Sequence, residues 1–592
     1  MYKPAPPRPK KTNITRTRTG CLECRARRVR CDEKKPMCGR CERLGGDCKH
    51  DTAFKFYQVY KHEAAEKRTV NHPTARQVTE SKTHLLASST TNEQLPLVGQ
   101  AGQNETWPRA PGLPQSVILR AKPAEAVMFY STEWDWRCLA SLASVVRKGD
   151  MLSIRSSPLF VDIMAAVSAS HLSRTSPQRR LLMGPGMREQ NFRPDPGHES
   201  VSQEIYGSVM KKMARWSVQD FGAHPILGLA VITLFCLIES SMGSFQAFGL
   251  HYDGAISLIK DLAARGIAQR GQACTLLATL VEIRMQMWWR RVYFGTREFH
   301  RNRPKVSLDP VFSHLSAFES RRASILSILC ESHRINNAAI IAHWDLYCHA
   351  DSGSLLGDDT TGNLQEMIEP FVQKIRYEKD RLDAWDGLFS LSGRVEDADM
   401  LHATAATLKV RPLHMPSHTE AMDYAYYIAS RVLQCPGPLY SLYTQRSEEM
   451  RKRYAEVESW IHLLLRVVAG MDWQDCVRYN MYTIGITSLL LACLLRSHDP
   501  RIGLWCENWL QGCLDGSSLE EGNFPLFQTS SIIRLLNGQR SQERDIFGLF
   551  QTVEDGGGSG KFGSYQSQAL SSLLVYSRCR TTGQLHSHFV SI

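Results

Sequence analysis

The chain contains 592 residues, 43% of them hydrophobic, and at this length two or more domains are expected. Apolar runs at 227–238 and 482–495 contain 12 and 14 residues, short of the roughly 20 that a membrane-spanning helix requires, so no membrane partner is expected. The net charge of +12 is concentrated at one end, because residues 1–50 hold 15 Lys and Arg against 5 Asp and Glu and leave only +2 for the other 542 residues.

Residues 1–15 form a basic tail, in which the stretch from Lys3 to Lys11 suits either a solvated segment or an import signal. No apolar run follows Met1, so a secretory leader is not expected. The compartment is therefore expected to be reducing, and cysteines there do not persist as disulfides.

Six cysteines follow the tail in a regular pattern. They are Cys21, Cys24, Cys31, Cys38, Cys41 and Cys48. Each half of the pattern is a Cys-x2-Cys pair with a third cysteine after six further residues. Structural zinc takes four ligands in a tetrahedron, so six sulfurs serve two Zn2+ ions only if two of them bridge. RING and LIM modules also bind two zinc ions, but they use other spacings and additional ligands, and no histidine completes such a set here.

The run TGCLECRARRVRCDEKKPMCGRCERLGGDC resembles the fungal Zn2Cys6 transcription-factor family. The resemblance implies a DNA-binding domain over residues 16–50, made of two short helices and loops around a binuclear zinc cluster. It also implies that Cys21 and Cys38 are the bridging ligands, and that Pro36 lies in the loop that joins the two halves.

Cationic side chains fill the stretch between the second and third cysteines, and such concentrated charge is typical of a surface that binds the phosphate backbone of double-stranded DNA. The family resemblance places the side chains that read a CGG triplet in the major groove at Arg27 and Arg28. An arginine that contacts guanine O6 and N7 is the commonest specific base contact. Two other cations of this stretch and two lysines that follow the third cysteine are expected to hold phosphates without reading sequence. They are Arg25, Arg30, Lys34 and Lys35.

Residues 51–115 contain Thr, Ser, Asn, Gln and Pro in mostly unpatterned order and are predicted to be a largely disordered linker. A heptad seam through Phe54, Tyr57, Lys61, Ala64 and Arg68 fails, because charged residues occupy seam positions. A coiled-coil dimer is therefore unsupported, which leaves a monomer or a homodimer formed through the carboxyl-terminal region.

Residues 116–592 are predicted to form a large all-α domain. Apolar side chains recur at three- and four-residue spacing, as at Phe160, Ile163, Met164 and Val167, whereas strand signals are scarce. The predicted helices cover 158–174, 247–264, 274–293, 321–343, 421–433, 454–469 and 480–495.

Four stretches of this region resemble the fungal-specific transcription factor domain, especially its branch of arginine- and GABA-catabolism regulators. They read AAVSASHLSR, AFGLHYDGAISLIKDL, WWRRVYFGTREF and MYTIGITSLLLACLL. The resemblance implies a regulatory region that senses a small-molecule effector or a partner. The cluster Trp288, Trp289, Arg290 and Arg291 either lines an effector pocket or belongs to the core and its rim. The 11 cysteines outside the zinc motif are expected to be buried thiols, with a redox-sensing pair as the alternative.

These patterns favour a nuclear, sequence-specific transcription factor of RNA polymerase II genes that regulates a metabolic or secondary-metabolite pathway. The alternative is a structural or chromosomal DNA-binding protein without transcriptional activity. An enzyme is not expected, because no zinc-protease motif, nucleophile elbow or dinucleotide fingerprint is found. Residues 555–562 lack the first glycine of a phosphate loop and are predicted to be a flexible loop.

Overall fold

The computed structural model describes parts of the cysteine-rich segment and most of the chain from residue 154 onward. In the cysteine-rich segment it describes residues 23–24, 27, 29, 32, 37–45 and 48. From residue 154 the gaps are 155, 176–193, 243–244, 266–271, 294–296, 298–320, 351–359, 389–407, 444–447, 515–518, 523, 552–571 and 592. The predicted tail (1–15), linker (51–115) and loop (555–562) lie outside the described residues.

Helices make up most of the described structure. In the cysteine-rich segment, α1 covers Gly39–Leu44. The later helices are α2 (Pro158–Thr175), α3 (Pro196–Met213), α4 (Val218–Ala223), α5 (Pro225–Met242), α6 (Phe245–Ala264), α7 (Gln272–Tyr293), α8 (Arg321–Ala350), α9 (Thr360–Leu388), α10 (His418–Gln434), α11 (Gly437–Tyr440), α12 (Glu448–Gly470), α13 (Trp473–Tyr479), α14 (Ile486–Leu494), α15 (Pro500–Leu514) and α16 (Leu526–Ser541). The strands are β1 (Glu520–Glu521), β2 (Phe524–Pro525), β3 (Arg544–Gln551), β4 (Ser572–Cys579) and β5 (Leu585–Ser591).

The helices predicted from apolar spacing are present, as α2, α6, α7, α8, α10, α12 and α14. The largest difference is at α14, which begins at Ile486 rather than near residue 480. Asn480 already ends α13, and Gly485 has an extended backbone with φ −81° and ψ 163°. The apolar run at 227–238 lies inside α5, whose residues from Leu229 to Ile238 are buried.

The prediction that the carboxyl-terminal region is entirely helical is wrong at its end, where β3, β4 and β5 form an antiparallel sheet in that order. Val575 pairs with Leu549 on one side and with His588 on the other. The alternation of polar and apolar residues that identifies a strand is missing from β3, because six of its eight residues are buried. A strand that is covered on both faces reads as a short apolar run, which the sequence cannot distinguish from a helix segment.

Two hydrophobic cores lie on the two faces of this sheet. The larger core joins α2 through α8, α10, α12 through α16 and the last turns of α9, and it takes Ile546 and Val575 from the sheet. The smaller core is formed by the second half of α8 together with α9 and α11, and it takes Phe547 and Tyr576 from the sheet. Successive residues of a strand point to opposite faces, so neighbours in β3 and β4 enter different cores. In the smaller core the rings of Trp344 and Tyr576 stack with centroids 4.7 Å apart.

A buried carboxylate anchors the start of α14. Glu521 accepts hydrogen bonds from Asn480 Nδ2 (2.7 Å), from the amide of Ile486 (2.9 Å), and from the amide (3.1 Å) and hydroxyl (2.7 Å) of Thr487. Gly485 permits this approach, because a Cβ there would lie 2.4 Å from Glu521 Oε2. Since the first amides of a helix have no partner within it, the Glu521 side chain supplies the acceptor that α14 needs.

The cluster at 288–291 belongs to the core rather than to an open pocket, because Trp289 and Arg290 are fully buried. Trp289 Nε1 donates to Ser488 Oγ (3.1 Å), and Arg290 Nη1 donates to the carbonyl of Ser240 (2.7 Å). Both contacts tie α7 to its neighbours. The side chain of Arg291 lies outside the described residues.

Most described cysteines outside the zinc motif are buried, as expected. They are Cys236, Cys330, Cys435, Cys476, Cys493, Cys506 and Cys513, whereas Cys579 is partly exposed. Within the described part of the chain, no helix combines the length and the apolar character that crossing a membrane requires.

Candidate metal centre and nucleic-acid interface

The short helix α1 positions the second half of the cysteine pattern. Cys38 caps its start, and the Cys38 sulfur accepts a hydrogen bond from the amide of Cys41 (3.4 Å). The Asp32 carboxylate accepts from the amide of Gly39 (3.1 and 3.2 Å), which holds the Asp32 side chain at the start of the helix. Gly45 ends α1 with φ 58°, a left-handed conformation that glycine adopts without strain. The cap at Cys38, the contact from Asp32 and the turn at Gly45 together define the start and the end of the helix that carries Cys41.

Three cysteine sulfurs converge in this segment. Cys24, Cys38 and Cys41 are buried, and their Sγ atoms all lie within 4.8 Å of one another. The Sγ atoms of Cys24 and Cys38 are 3.7 Å apart. Cys48 approaches the same group, because its Sγ accepts a hydrogen bond from the amide of Cys38 (3.2 Å). Cys21 and Cys31, the remaining two cysteines of the pattern, lie outside the described residues.

These distances fit zinc and not a disulfide. Two sulfurs that each lie about 2.3 Å from one tetrahedral Zn2+ are separated by about 3.8 Å, close to the Cys24–Cys38 distance. A disulfide would bring the same atoms to about 2.05 Å. The donor set is also the soft thiolate set that structural zinc prefers. The described cysteines therefore form a group that can hold zinc.

The group joins cysteines of both halves of the pattern, because the Sγ atoms of Cys24, Cys38 and Cys41 all lie within 4.8 Å of one another. Cys24 belongs to the first half, whereas Cys41 and Cys48 belong to the second. A sulfur that is shared by two ions needs neighbours on both sides. Which sulfurs bridge remains a prediction from the family resemblance, which names Cys21 and Cys38.

Of the predicted DNA contacts, the structure describes Arg27. A helical turn carries it, in which the amide of Arg27 donates to the carbonyl of Glu23 (3.1 Å) and the amide of Val29 donates to the carbonyl of Cys24 (3.0 Å). The Arg27 side chain is 53% exposed, and its Nη2 lies 2.7 Å from Glu23 Oε1. This cation therefore faces solvent from a turn anchored by a cysteine of the metal group.

The other predicted DNA contacts lie outside the described residues. They are Arg25, Arg28, Arg30, Lys34 and Lys35. Sequence reasoning did not single out Arg40 and Arg43, which are exposed on α1 beside Cys41. Arg40 is next to Cys41 as Arg25 is next to Cys24, and the Nε of Arg43 donates to the carbonyl of Gly39 (3.1 Å).

The amino-terminal segment also matches known proteins. Residues 19–55 match the family described as the fungal Zn(2)-Cys(6) binuclear cluster domain. The chain is 64% identical over 33 residues to White-opaque regulator 2 of Candida albicans, which covers 6% of this chain and 7% of that protein. It is 49% identical over 51 residues to the transcriptional regulatory protein moc3 of Schizosaccharomyces pombe (8% and 10%). It is 56% identical over 41 residues to the transcriptional regulatory protein UME6 of Saccharomyces cerevisiae (7% and 5%).

The similarity to these three regulators thus spans one tenth of their length or less. No solved structure matches the chain. The family match and the converging sulfurs agree on the same residues. The amino-terminal segment therefore has the sequence and the cysteine group of a zinc-binding, DNA-binding domain like those of fungal transcription regulators.

Proposed function

We propose that the protein is a nuclear transcription factor of RNA polymerase II genes that reads CGG-like triplets through a cluster of two Zn2+ ions. The observation that supports this most is the group of sulfurs around Cys38, at a spacing suited to tetrahedral zinc. All six cysteines of the pattern are the proposed ligands, with Cys21 and Cys38 bridging. When bound, zinc supplies the folding free energy that a segment of this size cannot obtain from its own core.

The proposed reading of DNA divides the cations into two groups. Arg27 and Arg28 reach base edges in the major groove, where an arginine donates to guanine O6 and N7. Arg25, Arg30, Lys34 and Lys35 hold phosphates and set the register. The exposure of Arg27 on a turn anchored at Cys24 supports this division, because a base-reading side chain must leave the protein surface from a fixed point.

The large helical region is proposed to be regulatory. In the proposed scheme it senses a small-molecule effector or a partner and controls activation of a metabolic or secondary-metabolite pathway, as in the arginine- and GABA-catabolism branch that it resembles. A homodimer formed through this region would set the distance between two triplets, since two linked half-sites must match the spacing of the two readers.

The test is an unbiased selection of DNA sequences with the zinc-loaded full-length protein. Enrichment of CGG-like triplets is expected, singly for a monomer or at a fixed spacing for a homodimer. A reporter gene carrying the selected site should respond to the protein. Enrichment without any response from the reporter would favour a structural or chromosomal DNA-binding protein, whereas no enrichment would contradict specific recognition.

Two variants distinguish base recognition from phosphate binding. Arg28→Ala should cost about 1 to 3 kcal/mol on the selected site and relax the preference at one base pair. Lys34→Ala should instead weaken binding to all sequences alike and reduce the salt dependence. Cys31→Ala should abolish binding, because a ligand is lost. If Arg28→Ala left both affinity and preference unchanged, the assignment of the reading stretch would be wrong.

A further inference from the structure

The carboxyl-terminal sheet has one open edge. Its strand order is β3, β4, β5, so β5 pairs with β4 on one side, and among the described residues no strand pairs with it on the other. The backbone amides and carbonyls on the outer side of an edge strand form a template for a further strand. The outer edge of β5 is therefore a surface on which another extended segment can add to the sheet.

β5 lacks the features by which natural proteins protect such an edge. Those features are charged side chains, proline, bulges and very short strands. β5 covers seven residues and reads Leu-His-Ser-His-Phe-Val-Ser, without Lys, Arg, Asp, Glu or Pro. Its pairing with β4 runs from Leu585 to Ser591 without a shift of register. The strand is thus regular and of ordinary length, and it carries none of the charges that would repel a partner strand.

The opposite edge of the sheet is better protected. β3 begins with two charged residues, Arg544 and Asp545, and the Asp545 carboxylate accepts a hydrogen bond from Arg580 Nε (2.7 Å). The register of β3 against β4 shifts between Ile546 and Gly548, and an irregularity of this kind bends and twists a strand. The two edges therefore differ, and β5 is the one that suits pairing.

An exposed aromatic ring lies on the same strand. Phe589 is 71% exposed, the highest value among the large hydrophobic side chains of the described residues. Ser587 and Ser591 lie on the same face of β5, because side chains alternate along a strand, and both are exposed. On the other face Val590 packs against the larger core. The exposed face of β5 thus presents one large ring between two small hydroxyl groups.

We propose that β5 pairs antiparallel with β5 of a second copy of this chain, so that two three-stranded sheets become one six-stranded sheet around a twofold axis. Like charges directly opposite each other destabilise such a pair, and β5 contains no Lys, Arg, Asp or Glu. In a register centred on Phe589 the two rings face each other, and cross-strand aromatic pairs are stabilising. In a register centred on His588 each ring lies opposite the small side chain of Ser587.

The twofold arrangement also explains why the assembly would stop at two copies. A contact that uses the same edge on both partners is closed, whereas pairing of β5 with β3 of the next molecule would continue into a fibre. The charges and the register shift of β3 oppose that second arrangement. The inference rests on the homodimer proposed above and names its contact, but association does not depend on the reading of DNA. One strand pair is a small interface, so a Kd in the micromolar range is expected.

The first experiment is analytical ultracentrifugation of the zinc-loaded full-length protein without DNA, at concentrations from about 1 to 100 µM. An equilibrium between monomer and dimer is expected. A monomer over the whole range would overturn the proposal. Species that keep growing with concentration would also overturn it, because a twofold contact is closed.

Variants at the exposed ring test the contact. Phe589→Lys brings two like charges together across the twofold axis, and such a juxtaposition costs several kcal/mol, so association should weaken by at least about tenfold. Phe589→Tyr keeps the ring and should retain the dimer. The matched control is Tyr377→Lys, which adds the same charge at a 64% exposed ring of α9 and should leave association unchanged. Equal association of Phe589→Lys and Tyr377→Lys would refute the proposed edge.

Hydrogen exchange locates the contact independently of the variants. Every second amide of an edge strand faces the open side, so exchange in the peptide 585–591 should slow as the protein concentration rises through the dimerisation midpoint. The same peptide of Phe589→Lys should show no such change over that range. Protection that develops elsewhere and not in β5 would place the dimer contact on another surface and refute this one. DNA selection with the same preparation shows separately whether the DNA-reading proposal holds.

Discussion

Removal of the ion pair between Arg27 and Glu23 is predicted to strengthen DNA binding, whereas most substitutions in a DNA-binding domain weaken it. Arg27 Nη2 contacts Glu23 Oε1 at 2.7 Å, one helical turn away. An arginine that donates to guanine O6 and N7 uses the same guanidinium edge, so it must give up this ion pair. We therefore expect Glu23→Gln to increase the affinity for DNA.

The exposure of the two side chains sets the size of the effect. They are 53% and 34% exposed, and ion pairs at such sites are worth about 0.2 to 1 kcal/mol. If this ion pair no longer has to be broken on binding, Kd should decrease by a factor of about 1.4 to 5. The gain should be larger on the selected site than on a site with a changed triplet, because Arg27 is proposed to contact bases.

The control is Glu42→Gln. It removes one negative charge at an exposed position of α1, in the same cysteine-rich segment. Both variants reduce the general repulsion between the protein and phosphates, so their difference isolates the release of Arg27. Fluorescence anisotropy at two salt concentrations measures both affinities. If Glu23→Gln gained no more than Glu42→Gln, or gained equally on every sequence, Arg27 would not be a base-reading residue.

Three other predictions concern the metal group, the anchor of α14 and the exposed thiol. Cys38→Ala should release zinc to a chelating dye and abolish DNA binding, because the sulfur between the two halves of the pattern is lost; retained zinc at full stoichiometry would speak against it. Gly485→Ala places a Cβ 2.4 Å from Glu521 Oε2 and should lower the free energy of unfolding by about 2 to 5 kcal/mol. Urea denaturation measures the change, and an unchanged midpoint would show that the Glu521 carboxylate does not anchor α14. Hydrogen bonds from Thr581 and Thr582 lower the pKa of the Cys579 thiol to about 6. Alkylation of Cys579 should therefore have its midpoint near pH 6, where the thiolate forms, and Thr581→Ala should move that midpoint upward; a wild-type midpoint near pH 9 would refute the hydrogen-bonding account.

The metal group could be predicted from the sequence, because zinc coordination constrains the identity and the spacing of the ligands. Cys24, Cys38 and Cys41 are brought together by a short helix and one turn, so their positions follow from local chain geometry. The helices were predictable for a related reason, since an amphipathic helix that packs by one face repeats its apolar residues at fixed spacing.

The sheet and a cavity beside it could not be predicted in the same way. Phe547 and Ile546 enter opposite cores, so β3 lacks the alternation that identifies a strand. Arg578 and Glu458 are 120 positions apart in the sequence but line one cavity of about 760 Å³. The role of Glu521 was equally hidden, since its hydrogen-bond partners lie 34 to 41 positions away. Contacts of this kind depend on tertiary structure and leave no local pattern.

The packing of the sheet against α8 has a consequence for the order in which the protein folds during its synthesis. Tyr576 Oη lies 2.9 Å from His343 Nδ1, although 233 positions separate the two residues. At roughly 5 to 20 residues per second, the ribosome needs roughly 10 to 50 s to produce the strand that covers this half of the helix. Helices α2 and α3 are adjacent in the chain and pack together long before that. During the interval the aromatic face around Trp344 lacks the sheet that covers it in the folded protein, and exposed apolar surface of this kind promotes aggregation.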